Sequence, residues 1–225
     1  MQKDLSSWQP CSTPGGVVLE GQHVVLEPTD FARDSEALFE AVCGPSNDEL
    51  WRWTFMGPFA TAAEFRADME PRAERLQAQP YNIRMKQTGQ IEGMFFFMRI
   101  RESAGSAEIG AVVFGPHLQR TAAATEAVYL SAKHLFEECG YRRYEWKCNS
   151  GNAASRRAGE RFGFTYEGTF RQDDISKGEN RDTDWLSMLD TEWPARKAAF
   201  EAWLSPENFH SDGSQKKSLS EFHHG

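Results

Sequence analysis

Short runs in which apolar and polar residues alternate are separated by stretches with helical spacing, and the two periods trade places along the whole chain. Val24 to Glu27 is a short β run closed by Pro28. Thr29-Asp30 then supplies a cap for a helix whose Phe31, Leu38, Phe39 and Val42 fall on one face, and Gly44-Pro45 ends it. Trp51 to Phe59 is aromatic and turn-like. Thr61-x-x-Glu64 reads as a capping box for a helix carrying Phe65, Met69 and Leu76, stopped by Pro80. Tyr81 to Lys86, a Thr88-Gly89 turn and the apolar Ile91 to Ile100 predict a hairpin, and Ala107 to Phe114 a third strand.

Gly115-Pro116 breaks the chain again. Gln119 to Thr125 leads into a long helix that turns Val128, Ala132, Leu135 and Phe136 inward and closes at Gly140. Arg142 to Cys148 is a strand, Asn152 to Phe162 a helix, and Phe164 to Arg171 and Asp182 to Leu189 are two more strands. Glu192 to Leu204 is an amphipathic helix with Trp193, Phe200 and Trp203, and Pro206 to Gly225 is a polar tail expected to fray. The order is mixed α/β, without internal repeats or low-complexity blocks. The expected division is an extension over 1–20, a domain over 21–190, a helix packed on it over 191–204 and a tail over 205–225.

Composition narrows the function classes. A chain of 225 residues with 40% apolar content can bury a substantial core, which predicts a single globular domain. The net charge of −8 argues against a general nucleic-acid binder, because phosphate backbones reward excess Lys and Arg. It suits a cationic or amine substrate, and equally an ordinary soluble surface. Met1 to Gly16 lacks the apolar stretch of a signal peptide, and no run approaches a membrane span. Cys11, Cys43, Cys139 and Cys148 form no Cys-x-x-Cys pair, so neither a zinc site nor a disulfide framework is indicated. Together with the absence of an N-x-S/T acceptor, this predicts a reducing compartment, cytosol or nucleus, and no metal.

Two segments carry chemistry. The strand-to-helix loop Pro116 to Ala124 offers free backbone N–H groups at the positive end of a helix dipole, which suits a phosphate, and Ala122, Ala123 and Ala124 permit close approach. Arg120 can add a guanidinium, and Arg142, Arg143, Lys147, Arg156, Arg157 and Arg161 make the following segment locally basic in an acidic protein. That pattern fits a polyphosphate cofactor, although alanines favour helix starts in any case and Arg pairs on helices are often solvated. In Asn149 to Gly168, Asn152 and Ser155 stand one turn apart at the head of the next helix. Capping alone would account for both residue types.

Together these segments resemble the GNAT N-acetyltransferase superfamily. Gln119-Arg120-Thr121-Ala122-Ala123-Ala124 occupies the register of its Q/R-x-x-G-x-G/A loop, and Asn152, Ser155 and Gly163-Phe164-Thr165-Tyr166-Glu167-Gly168 match its N-x-x-S and G-F-x-x-E-G signatures. Leu26-Glu27-Pro28 and the Gly57-Pro58-Phe59 turn look like the branch typified by ribosomal-protein N-terminal acetyltransferases. The resemblance runs from about Gly21 to Asp190. It implies an α/β (α+β) fold: a mixed, mostly antiparallel sheet of six to seven strands flanked by helices, with central strands splayed around acetyl-coenzyme A. Ala122 stands where the family usually has Gly, and its methyl group is harmless if the residue is already helical.

The resemblance also implies a mechanism. Ala107 to Phe114 would splay from Arg142 to Cys148, and the pantetheine arm would pair with the exposed backbone. An N–H near Val112 or Val113 would face the thioester carbonyl, Asn152 would bind the arm, and Ser155 would protonate the leaving thiolate. Glu108 and Glu145 on the splayed strands are candidate bases. So is Asp174, nineteen positions after Ser155, the offset assigned to the base in the ribosomal-protein branch. A surface turn carboxylate is the rival account of Asp174, and a water-relayed base stays open. Cys148 could suggest a covalent acyl-enzyme, but a buried structural thiol is the better reading. The Met94-Phe95-Phe96-Phe97-Met98 run is core strand. Of Trp51, Trp53, Phe55 and Phe59, half are assigned to packing and the rest to the acceptor side.

The expected activity is acetyl transfer to a primary amine, either a peptide N-terminus or a small molecule. The rivals are a silent coenzyme A-binding module and a partner subunit that docks through its tail. The expected partners are acetyl-coenzyme A and an amine, with no nucleic acid and no membrane, in a monomer or homodimer.

Overall fold

The computed structural model describes residues 4–223. A single eight-stranded sheet runs through the chain in the order β1-β2-β3-β4-β5-β6-β8-β7. Its strands are β1 (Leu19–Glu20), β2 (Val24–Pro28), β3 (Gln79–Met85), β4 (Ile91–Arg101), β5 (Ser106–Phe114), β6 (Arg143–Asn149), β7 (Thr165–Ser176) and β8 (Glu179–Leu189). Among the described residues only β5 and β6 pair in parallel, and the helix α3 (Ala122–Lys133) makes the crossover between them. The sheet is mixed and mostly antiparallel, as expected, with the two-residue β1 as its additional strand.

Local chemistry sets the helix starts. Asp30 caps α1 (Phe31–Val42), its carboxylate accepting from the N–H groups of Ala32 and Arg33. The capping box forms at α2 (Ala62–Arg75): Thr61 Oγ1 accepts from Glu64 N at 3.1 Å, and the Glu64 carboxylate reaches back to Ala60 N at 3.0 Å. Helices α4 (Ala153–Arg161), α5 (Trp193–Leu204) and the short α6 (Leu219–His223) follow. The sheet buries both faces of β4. Phe95 and Phe97 join the larger core under α3 and α5, whereas Met94, Phe96 and Met98 pack beneath α1 and α2 with Phe65 and Trp51.

The sheet opens where β5 and β6 part. Their pairing runs from Ser106 opposite Arg143 to Ile109 opposite Trp146, yet β5 continues to Phe114 and β6 to Asn149. A bulge steers the divergence. Gly110 faces Phe96 and Val113 faces Met94, so Ala111 and Val112 together oppose the single Phe95, and Ala111 takes a left-handed φ of 48°. The last residues of β5 therefore stay with β4, while β6 follows β8 as far as Asn149 opposite Thr183.

Two expected segments differ. The strands read as Phe164–Arg171 and Asp182–Leu189 extend into a long arm closed at Lys177-Gly178, both with positive φ. Polar residues on both faces of that arm hid its periodicity. The tail expected to fray is folded: Phe209 bridges Gln215, and Leu219 is fully buried against the α5 side of the core. Three apolar side chains, Phe209, Leu219 and Phe222, anchor it.

The β1–β2 turn is pinned to α3 by one buried carboxylate. Glu126 accepts from the N–H groups of Gln22, His23 and Val24 at 2.7, 2.6 and 2.9 Å. Replacing it with Ala leaves these donors without partners. Glu126→Ala is expected to cost about 2–4 kcal/mol in urea unfolding; a loss under about 1 kcal/mol would show that the turn is held elsewhere.

Candidate active site

The strand divergence opens onto a cleft of about 1610 Å³, lined by Val112, Val113 and Phe114 of β5, Trp146 of β6 and the first turns of α3 and α4. Nine of the ten residues expected at a donor site line it: Val112, Val113, Gln119, Arg120, Thr121, Ala122, Ala124, Asn152 and Ser155. Ala123 is instead buried in the core beneath them.

At the α3 end, Thr121 is the cap, accepting from Ala124 N at 3.2 Å while donating to Leu118 O at 2.6 Å. The first N–H groups of any helix lack an i−4 partner, so those of Ala122 and Ala123 head the dipole at the cleft. Ala122 is already helical. The left-handed residue of the loop is Arg120, with φ of 61°, an uncommon conformation for a side chain of this size. Gln119 fastens the loop to β5 through Nε2 donating to Phe114 O at 2.8 Å.

At the α4 end, Asn152 Oδ1 accepts from Ser155 N at 3.1 Å, so Asn152 is the helix cap whatever else it does. Ser155 Oγ accepts from the indole Nε1 of Trp146 at 3.1 Å. This occupies a lone pair and leaves the hydroxyl proton to be donated. Cys148 lies close by, where burial pushes its thiol up to about 11 against the weaker opposing pull of the Ser155 hydroxyl. It is a thiol at neutral pH.

The α1–α2 connection forms another wall. Trp51 and Phe59 are packing residues: Trp51 is fully buried, donates Nε1 to Val42 O at 2.8 Å, and meets Phe59 edge-on at 5.1 Å. Trp53 lines the cleft, and the edge of its ring lies 2.8 Å from where a Cβ on Gly151 would stand, so a side chain there would push the indole aside. The β7–β8 arm docks on this connection. Ser176 Oγ donates to Thr54 O, Lys177 Nζ to Trp51 O and Arg181 Nη1 to Trp53 O, while the Arg181 guanidinium covers the Phe55 ring at 4.2 Å.

The three carboxylates proposed as bases have separate settings. Glu108 and Glu145 face each other across the paired part of β5 and β6 and share Lys147, at 3.0 and 2.8 Å. Glu145 is saturated, since Oε1 also meets Arg101 and Arg143. Burial raises its pKa, but Lys147 and Arg143 outweigh burial and hold it below the usual carboxylate range. In Glu108, Oε2 takes both Arg99 and Lys147, and Oε1 lies beside Gly110, 2.8 Å from the position of a Cβ there, where the strands begin to part. Asp174 is exposed on the arm, its Oδ1 accepting from Ile175 N at 2.7 Å, and it is not among the cleft residues.

Other cleft residues carried no sequence signal: Gln22 and His23 from the turn pinned by Glu126, Glu49 and Leu50 before Trp53, and the C-terminal stretch from Trp203 to Gln215. Long-range folding brings them in, and no local motif announces them.

This arrangement, a parallel strand pair splayed beside two helix N-termini, defines an acetyltransferase of the GNAT type. Residues 23–165 match the family model described as the acetyltransferase (GNAT) domain, and the chain belongs to that family. It is similar to a GCN5-related N-acetyltransferase from Brucella melitensis, 43% identical with a TM-score of 0.92, the match covering 98% of this chain and 100% of that one. A crystal structure of a "probable" GNAT-family acetyltransferase from Chromobacterium violaceum ATCC 12472 is 38% identical with a TM-score of 0.81, covering 87% and 97% of the two chains. A curated relative, "Putative ribosomal N-acetyltransferase YdaF" of Bacillus subtilis (strain 168), is 26% identical over 176 residues, 77% of this chain and 93% of that protein.

The lowered pKa of Glu145 fixes the sign of one pH effect. Its contribution to stability is complete above the unfolded carboxylate value and is lost as pH falls through the lower folded value. Glu145→Gln is therefore expected to destabilise the protein at pH 7 and to flatten the decline in stability below about pH 4.5. Urea midpoints measured from pH 3 to pH 8 check this; parallel curves for the two proteins would contradict it.

Proposed function

We propose that this protein is an acetyl-coenzyme A-dependent N-acetyltransferase that moves the acetyl group directly to a primary amine. The observation that carries this reading is the alignment of three groups along one cleft: the unpaired β5 edge at Val112, the α3 N-terminus, and the Ser155 hydroxyl. The residues fit the donor. Ala122 and Ala124 leave the helix start open to a pyrophosphate, Arg120 adds charge, and the free strand edge matches an amide-bearing arm.

The donor supplies an activated thioester. The backbone N–H of Val112 polarises its carbonyl and stabilises the developing oxyanion without having to reorganise, whereas Val113, opposite Met94 in the ladder, turns its N–H toward β4. Asn152 keeps the head of α4 in place and presents its amide to the pantetheine arm. Ser155, its lone pair held by Trp146, delivers a proton to the departing thiolate. The amine enters past Trp53. None of the three candidate carboxylates lines the cleft itself: Glu145 is neutralised by three cations and Asp174 is exposed on the arm, so the amine proton is assigned, through water, to the buried Glu108, whose Oε1 lies beside Gly110 at the first position beyond the paired strands. A peptide N-terminus and a small amine both satisfy this chemistry; the name of the Bacillus relative supports the former.

Incubation with acetyl-coenzyme A and a panel of peptides, polyamines and amino acids, with thiol release as readout, tests the proposal. Transfer to at least one amine is expected; binding with no transfer to any would favour a silent module. Ser155→Ala should lower kcat by about 10²-fold or more with little change in donor affinity, while Cys148→Ala should retain activity. Glu108→Gln should lower kcat at neutral pH far more than donor affinity, and Asp174→Asn should leave kcat unchanged. The reverse pattern would assign the base to Asp174. Ala122→Gly should alter donor affinity by less than about twofold, because the backbone there is already helical.

A further inference from the structure

The C-terminal stretch lies outside residues 23–165 of the family match, yet its side chains form part of the donor cleft. Its fold is held firmly. Asn208 is buried, donating Nδ2 to Trp203 O and Lys217 O at 3.2 and 3.1 Å and accepting from Lys217 N at 3.0 Å. Trp203 Nε1 donates to Gln215 Oε1 at 2.9 Å, and Phe209 meets the Trp203 ring edge-on at 5.2 Å. A solvated tail would need none of this.

Arg161 gives the wall a chemical purpose. The guanidinium lines the cleft half-buried, donates Nη1 to Thr125 Oγ1 at 3.1 Å, and lies over the Trp203 ring at 4.9 Å. Among the described residues no carboxylate pairs with it, in contrast to Arg143 and Arg156. Burial pulls its pKa down with no opposing acid. A partly desolvated guanidinium with most of its donors uncommitted is matched to a phosphate, and its position beside Thr125 sets it one turn along α3 from the cradle at Ala122. The buried Trp203 ring backs this guanidinium, and the partly exposed Phe209, with His210, Ser214 and Gln215, borders the same space and offers contacts for a planar base and ribose.

We propose that Arg161, Trp203 and the loop 206–215 form a nucleotide-reading subsite that receives the phosphorylated nucleoside end of coenzyme A. This rests on the donor assignment above and makes the C-terminal stretch part of the enzyme's site.

Calorimetric titration of the full chain with coenzyme A and with 4′-phosphopantetheine, which lacks that nucleoside end, tests the proposal. The unmodified protein should bind coenzyme A about tenfold or more tightly than phosphopantetheine. Arg161→Gln should remove most of that preference by weakening coenzyme A alone, and Arg161→Lys should retain part of it. Equal weakening of both ligands would place Arg161 in the shared phosphate cradle and overturn the proposal, as would no change in either. Equal affinity of the unmodified protein for the two ligands would overturn the subsite and leave the donor site standing. Failure of both ligands to bind would remove the donor assignment and the subsite together.

Discussion

The parting of β5 and β6 beyond Ile109 and Trp146 is the constraint on which the rest depends. Two neighbouring strands that stop pairing expose backbone donors and acceptors, a condition that is costly unless water or a ligand meets them. The bulge at Ala111 and Val112 prevents closure by tying the end of β5 to β4, and the seven-residue register between β6 and β8 holds the other side. The opening is thus built into the sheet, and both helices that follow the splayed strands begin at its edge.

Charge and packing divide the molecule along that opening. On the α3 and α5 side, small residues at the head of α3 and the indole of Trp146 line the cleft. On the other face, Glu108, Glu145 and Lys147 are buried with arginines around them, and Lys147 lies over the Trp185 ring at 3.6 Å. Such a network is expensive to desolvate and strongly geometry-dependent, which fits it for holding the two strands in register just before they separate. The β7–β8 arm then closes over the α1–α2 connection through backbone carbonyls of Trp51, Trp53 and Thr54, shaping the side from which an acceptor must come.

Much of the fold was legible in the sequence because its signals are local. The Thr61 and Asp30 caps, the Gly115-Pro116 break, the aromatic β4 and the spacing of Asn152 and Ser155 each depend on residues within a turn or two, and each element formed close to where it was read. Two such segments, the Gln119 to Ala124 loop and the head of α4, line one cleft in the folded chain. What escaped notice was set by distance. The arm from Gln172 to Arg181 is polar on both faces and becomes strand only by pairing with itself and leaning on residues more than a hundred positions earlier. The tail carries few apolar residues, but Leu219 and Phe209 find partners on α5, and Arg161 acquires its setting only once they do.

Amide hydrogen exchange across residues 110–125, with and without acetyl-coenzyme A, addresses the central claim most directly. If the strand divergence is the donor site, the N–H groups of Val112, Ala122 and Ala123 slow markedly on addition of the donor, while those of β3 and α2 do not change. Unaltered exchange at Val112, with protection confined to the α3 start, would contradict this, because the open edge of β5 would then have no part in holding the ligand.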